Sequence, residues 1–207
     1  YGVQKFAEDL LTTWIKNGIN HTGVRNVILS GGVAQNIKAN KSISELVDLD
    51  QLFVPPGPGD ESISIGAAWL QFIKTGGDIN KIPIYTNAYF GPSFSSKEIQ
   101  NEISKLDKNI FEIQEITNKE IAKLISQGEV VARFASDKME FGARALGNRS
   151  ILANPSSPDI KDIINMKIKK RENFRPFAPS ILIDHKEKWF SNSRSNPYMS
   201  SVENISP

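Results

Sequence analysis

A mixed α/β fold is the architecture this sequence predicts, and three observations carry it. Two short apolar runs, Val27-Ile28-Leu29 and Leu52-Phe53-Val54, each run into a glycine-containing turn followed by helical periodicity. From Ser95 to Phe134 the pattern repeats as helix, strand, helix, strand. The 207 residues are 39% hydrophobic and 23% charged, with 11 Phe and 3 Trp, enough bulk for a real core in one large domain or two modest ones.

Val3, Phe6, Ala7, Leu10 and Trp14 recur at three- and four-residue spacing, which predicts an amphipathic helix over 3–17 with Gly18 as its stop. Val27-Ile28-Leu29 reads as a buried strand. It runs into Ser30-Gly31-Gly32-Val33-Ala34-Gln35-Asn36, where adjacent glycines permit a tight strand-to-helix turn. The free amides of such a turn can bind an anion or a nucleotide, although a plain compact connection uses the same residues. The second strand, Leu52-Phe53-Val54, ends at Pro55-Pro56-Gly57-Pro58-Gly59-Asp60. Ile63, Ile65, Gly66, Ala67, Ala68, Leu70 and Phe72 then predict a closely packed helix closing at Gly76-Gly77. Asp60 falls where a strand ends and a helix begins, a location that α/β proteins use for catalytic or metal-binding carboxylates. On residue type alone, a helix N-cap is the simpler reading.

Residues 78–92 lack periodicity and are the expected linker, dividing the chain into domains at 1–90 and 91–207. Ser95 with Glu98 forms a capping-box signature before Ile99, Ile103 and Leu106, and Thr117 with Glu120 forms another before Ile121, Leu124 and Ile125. Phe111-Glu112-Ile113 and Val130–Phe134 read as strands, with Gly128 ending the helix between them. Ser157-Pro158 is expected to start a helix whose apolar stripe is Ile160, Ile163, Ile164 and Ile168. Ser180-Ile181-Leu182-Ile183 reads as a last strand, and the Ser-, Asn- and Pro-rich tail from Ser191 to Pro207 as loop.

Charge is concentrated in one region. Arg133 to Arg175 holds ten Lys/Arg and five Asp/Glu, a net of +5, whereas the whole chain is +2. Within it lie two stretches, Met139-Glu140-Phe141-Gly142-Ala143-Arg144-Ala145-Leu146-Gly147-Asn148-Arg149-Ser150 and Lys169-Lys170-Arg171-Glu172-Asn173-Phe174-Arg175-Pro176-Phe177-Ala178-Pro179-Ser180. Arginine forks suit phosphate and carboxylate oxygens, and glycines and prolines interleaved with Phe141, Phe174 and Phe177 suggest a shaped pocket. A solvated basic face is the plainer alternative. The chain has no cysteine, which excludes disulfides and thiolate chemistry and fits a reducing, cytoplasmic setting. No apolar run reaches the roughly 18–20 residues that span a bilayer, so no membrane partner is expected. His21 and His185 stand apart from any ligand-spaced partner and take no role; Trp14, Trp69 and Trp189 are expected as core or interface aromatics.

The two basic motifs, with Ile151-Leu152-Ala153 continuing the first, resemble those of the O-carbamoyltransferase family, which includes nodulation and antibiotic-tailoring carbamoyltransferases. Ser30–Asn36 and Gly59-Asp60 through Gly66-Ala67-Ala68 look like that family's preceding motifs, in the same order. The resemblance implies the C-terminal part of an actin/Hsp70-like ATPase-fold domain, of the tRNA threonylcarbamoyl transferase kind, followed by part of a threonylcarbamoyl-adenylate-synthase-like domain. It further implies ATP-dependent activation of carbamoyl phosphate to carbamoyl adenylate and transfer of the carbamoyl group to the hydroxyl of a small-molecule acceptor. Carried over by motif position, Arg144, Lys169 and Arg175 would be cationic clamps, with Arg149 and Ser180 as weaker candidates. Gly31, Gly32 and Asn36 would approach ATP, and Asp60 would ligate a divalent metal, iron or magnesium, which reverses the simpler capping reading.

The paired histidines that complete the family's metal site belong to an N-terminal region, and this chain has no His-x-x-x-His, so that part of the same protein is an expected partner. Glu61-Ser62 also departs from the small residue and glycine that many members carry after the aspartate. A homodimer is admitted as an assembly. The competing readings are an RNA-binding module that uses the basic region with Phe141, Phe174 and Phe177, and a tRNA threonylcarbamoylation-related protein. Near-neutral net charge speaks against nucleic acid as the partner.

Overall fold

The computed structural model describes residues 1–84, 86–134, 137–190 and 196–205. Of the expected terminal loop, 191–195 and 206–207 lie outside the described residues. The mixed α/β class is observed, built from helices and two small two-stranded sheets. Among the described residues no helix is long and apolar enough to cross a membrane. The chain divides into two compact units. Tyr1–Ala88, Phe141–Arg144 and Ile181–Pro207 form the first; Tyr89–Glu140 and Ala145–Ser180 form the second. The changeover at Ala88/Tyr89 falls within the irregular stretch 78–92, but the chain later returns to the first unit twice.

In the first unit, α1 (Gly2–Thr22) runs through Gly18 and stops at Gly23, whose left-handed φ of 71° lets its N–H reach the Ile19 carbonyl at 2.8 Å. The expected stop at Gly18 is thus corrected. Glycine inside a helix costs about 1 kcal/mol, whereas burying Ile19 one residue later gains about 1.5–3 kcal/mol. The expected apolar stripe is corrected as well. Leu11, Ile15 and Ile19 face the core, while Val3, Phe6, Leu10 and Trp14 are exposed. The two stripes lie one residue, roughly 100°, apart on the helix, and a single core can cover only one of them.

Strand β1 (Asn26–Ile28) pairs in parallel with β2 (Gln51–Phe53), and α2 (Ile37–Ser44) supplies the crossover that a parallel pair requires. Val27 and Leu52 point inward onto Leu29, Ala34, Ile43, Leu49 and Val54. Helix α3 (Ile63–Lys74) forms as expected, and Gly76 follows it with a φ of 88°. None of its residues is buried, contrary to the close packing its composition suggests.

The second unit begins with α4 (Ser96–Ile103) and α5 (Asn118–Ser126), both opened by complete capping boxes at Ser95/Glu98 and Thr117/Glu120. Strand β3 (Val131–Phe134) pairs antiparallel with β4 (Arg149–Leu152), from Val131 opposite Leu152 to Phe134 opposite Arg149. The expected strands at 111–113 and 180–183 do not form. Phe111, Ile113, Ile181, Leu182 and Ile183 are exposed, and no neighbouring backbone offers them a ladder. The helix expected from Pro158 begins two residues later as α6 (Ile160–Asp162) and widens into a π-helical turn over Ile163–Ile168.

Candidate functional site

The first basic motif is the connection between β3 and β4, and a buried carboxylate shapes it. Glu140 is only 6% exposed, and its Oε1 accepts the N–H groups of Leu146 (2.7 Å) and Asn148 (2.6 Å). Asn148, also buried, donates from Nδ2 to the Lys138 carbonyl (2.8 Å) and to Asp137 Oδ1 (3.1 Å). Its Oδ1 accepts from Arg133 Nη1 at 3.1 Å, and the same guanidinium also bonds the Gly147 carbonyl. Ser150 Oγ accepts the Gly147 N–H at 2.9 Å, and Tyr89 caps the Leu146 carbonyl at 2.8 Å. Gly147 sits at φ 115°, a conformation other residues adopt only under strain. The short polar side chains of this motif therefore bind their own loop.

Within the same motif Phe141–Arg144 belongs to the first unit. Gly142 has φ 97°, and a Cβ built on it would overlap the Pro56 carbonyl, so only glycine fits there. Arg144 is half-buried and lines a cleft of about 20 Å3 together with Gln35, Pro56 and Tyr198. Burial raises the Tyr198 phenol above its ordinary pKa.

The second basic motif is organised in the same manner. Asn165, fully buried in the π-helical turn, donates from Nδ2 to the carbonyls of Arg175 (2.9 Å) and Asn173 (3.3 Å). Its Oδ1 accepts from Arg171 Nε at 2.6 Å, and the Arg171 guanidinium lies 4.9 Å from the centre of the Phe177 ring. Lys169 follows the π turn with its N–H on the Ile164 carbonyl, 2.8 Å away, and its side chain is exposed. Such widened turns are frequent at functional positions. Arg175 is exposed and lies 3.6 Å from Glu172, while Ser180 is exposed.

The residues expected at the site thus fall in two groups. Lys169, Arg175, Arg149 and Ser180 are in the second unit; Arg144, Gly31, Gly32, Asn36 and Asp60 are in the first. Arg149 opens β4 and is exposed. Gly31 has φ 103°, as a tight strand-to-helix turn requires, and its N–H is taken by the Pro58 carbonyl. Gly32 opens a short 3-10 turn and is exposed. Asn36 caps α2 through the Ala39 N–H (3.2 Å) and exchanges amide hydrogen bonds with Gln4 at 3.0 and 3.2 Å. Asp60 is exposed at the start of a three-residue 3-10 turn, where Gly59, and not Asp60, is the N-cap. Among the described residues no three His, Cys, Asp or Glu side chains gather as a metal site.

Residue reading passed over Glu140, Asn165 and Arg171. Their signal was nonetheless present: Glu140 stands between Met139 and Phe141, and Asn165 interrupts Ile163-Ile164 and Met166. A polar residue inside an apolar run is buried where bonding offsets its desolvation: two N–H groups on Glu140 Oε1, whose Oε2 stays unpartnered, and three side-chain bonds at Asn165.

Residues 2–69 match the family described as the carbamoyltransferase N-terminus, and residues 122–207 match the carbamoyltransferase C-terminus. The chain belongs to the carbamoyltransferase family. Both basic motifs fall within the C-terminal match, and the glycine turn and Asp60 within the N-terminal one. Similar relatives include nodulation protein U of Sinorhizobium fredii, 36% identical over 197 residues that cover 94% of this chain and 33% of the relative. Nodulation protein NolNO of the same organism is 32% identical over 206 residues, covering 97% and 30%. An uncharacterized protein of Methanocaldococcus jannaschii is 34% identical over 201 residues, covering 95% and 33%. The chain therefore spans about a third of the length of the curated relatives it matches.

Proposed function

We propose that this chain carries part of the apparatus for ATP-dependent O-carbamoylation: activation of carbamoyl phosphate as carbamoyl adenylate, then transfer to the hydroxyl of a small acceptor. The observation that carries the reading is the pair of basic loops in the carbamoyltransferase C-terminal match, each held by a buried polar residue, Glu140 in one and Asn165 in the other. Carbamoyl phosphate, ATP and water together give carbamoyl adenylate, phosphate and pyrophosphate, so that ATP supplies the AMP leaving group on the carbamoyl carbon. The chain's own part is to gather the phosphates and offset their repulsion. Lys169 and Arg175 present exposed cations from the second loop, Arg149 extends the first at β4, and Ser180 adds a hydroxyl.

In this reading residues 91–207 are the adenylate-forming, threonylcarbamoyl-adenylate-synthase-like part, and residues 1–90 belong to an actin/Hsp70-like transfer domain, in which Gly31, Gly32 and Asn36 approach the nucleotide. Asn36 must then give up its bonds to Gln4 or contact the ligand through its backbone. Asp60 would offer one carboxylate to a divalent metal. The described residues do not assemble the remaining ligands, and no step is derived through a metal.

Calorimetric titration of this chain with ATP, with and without carbamoyl phosphate, tests the proposal. One lost charge-assisted bond is worth about 1.5–3 kcal/mol, so Arg144→Ala and Lys169→Ala should each weaken binding roughly 10- to 100-fold with unchanged melting. Equal affinity in both variants would refute the clamp assignment.

A further inference from the structure

Segment 196–201 returns to the first unit and folds there on its own asparagine. Asn196 Oδ1 accepts the Ser200 N–H at 2.8 Å, and Asn196 Nδ2 donates to the Ser201 carbonyl at 2.9 Å. Within this turn Tyr198 is 6% exposed and meets the Phe53 ring of β2 edge-on, with ring centres 6.5 Å apart. Met199 follows at φ 53°, a left-handed conformation that a residue with a side chain keeps only while its surroundings impose it. Tyr198, Met199 and Ser200 line the same cleft as Ala34, Gln35 and Arg144.

One side chain ties this segment to the glycine turn. Asn40 stands one helical turn beyond Asn36, the N-cap of α2, and its N–H meets the Asn36 carbonyl at 3.0 Å. Its side chain, 1% exposed, donates one Nδ2 hydrogen to the Ala34 carbonyl and the other to the Ser200 carbonyl, each at 2.7 Å. Two carbonyls can be met only by the two hydrogens of the amide, so its orientation is fixed. Its Oδ1 is buried without a donor, and these two bonds are what offset the desolvation of the amide. Ala34, itself 1% exposed, belongs to the turn whose Gly31, Gly32 and Asn36 are assigned to the nucleotide.

Loss of the Ser200 contact leaves an Nδ2 hydrogen unmet beside an oxygen that already lacks a donor, so displacing the segment also weakens the hold on Ala34. We infer that Asn40 is a positioning residue for the glycine turn and couples it to segment 196–201. A nucleotide held at the turn tightens the segment, and loosening the segment weakens the nucleotide. Such coupling is reciprocal, because one free energy links the two places. The inference rests on the reading of 31–36 as a nucleotide-binding turn.

Hydrogen exchange of the 207-residue chain with and without saturating ATP tests it, read on peptides covering 31–36 and 196–201. In the parent, ATP is expected to slow exchange in both peptides by about threefold or more. Asn40→Ala should abolish the effect at 196–201 and weaken ATP binding by about fivefold or more. Tyr198→Ala undocks the segment from Phe53 with Asn40 intact and should do the same, which decides the matter where Asn40→Ala does not fold. Ile43→Val, a core change that touches none of these bonds, should keep the parent's affinity and protection and so separates positioning from a general loss of stability. Protection at 31–36 without protection at 196–201, or folded Asn40→Ala or Tyr198→Ala chains that respond as the parent does, would overturn the inference and leave the nucleotide reading standing. No protection at 31–36 would overturn that reading, and the inference with it.

Discussion

Replacing Glu140 by alanine removes one oxygen that holds two backbone N–H groups, those of Leu146 and Asn148. Both bonds are charge-assisted, in a residue 6% exposed, and each is worth about 1.5–3 kcal/mol net. The unpartnered Oε2 works against them, because its desolvation is relieved when the carboxylate is removed. The expected net loss is about 2–4 kcal/mol, a large share of the roughly 5–15 kcal/mol that stabilises a typical domain. Glu140→Gln keeps a carbonyl oxygen for both amides and loses only the charge assistance, so about 1–2 kcal/mol is expected. Urea denaturation of the parent and both variants measures the order. A double-mutant cycle with Asn148→Ala should show coupling above about 0.5 kcal/mol, because the two side chains belong to one network. A Glu140→Ala variant within about 0.5 kcal/mol of the parent, or strict additivity with Asn148→Ala, would refute the argument that this carboxylate frames the loop.

Two glycines should respond in opposite directions. Gly142→Ala meets the Pro56 carbonyl at a positive φ and should destabilise by about 1–3 kcal/mol, whereas Gly18→Ala, inside α1 with open space around it, should stabilise by about 0.5–1 kcal/mol; thermal melts distinguish them. The capping carboxylates predict a pH dependence. Hydrogen bonds from the Ser95 and Thr117 hydroxyls, then from their backbone N–H groups, hold Glu98 and Glu120 below the ordinary glutamate pKa. A depressed folded-state pKa contributes stability above the unfolded value, and that stability is lost as pH falls through the folded one. Amide protection at the first turns of α4 and α5, taken relative to the intrinsic exchange rate, should therefore fall on acidification through that window, and Glu98→Gln should abolish the change at α4 alone.

What the sequence determined by itself is whatever a residue settles with neighbours a few positions away. The capping boxes at Ser95 and Thr117 close bonds three residues long, and both are where the pattern places them. Gly31, Gly142 and Gly147 announce left-handed turns for the same local reason, and β1 and β2 are short enough for their apolar runs to define them. The basic motifs were legible as the family's own, since their residue types and order suffice. Tertiary structure decided everything that depends on a distant partner. Leu11, Ile15 and Ile19, rather than Phe6, Leu10 and Trp14, meet the core because α2 and β1 lie on that side of α1. Phe111–Ile113 and Ser180–Ile183 have strand-like composition but no ladder to join, whereas Arg149–Leu152, hidden within a motif, finds one on β3. Glu140, Asn148 and Asn165 are buried because the carbonyls and amides they bind come to them only when their loops fold back. A buried polar group is stable only with its bonds made, and those bonds exist in the fold and nowhere along the extended chain.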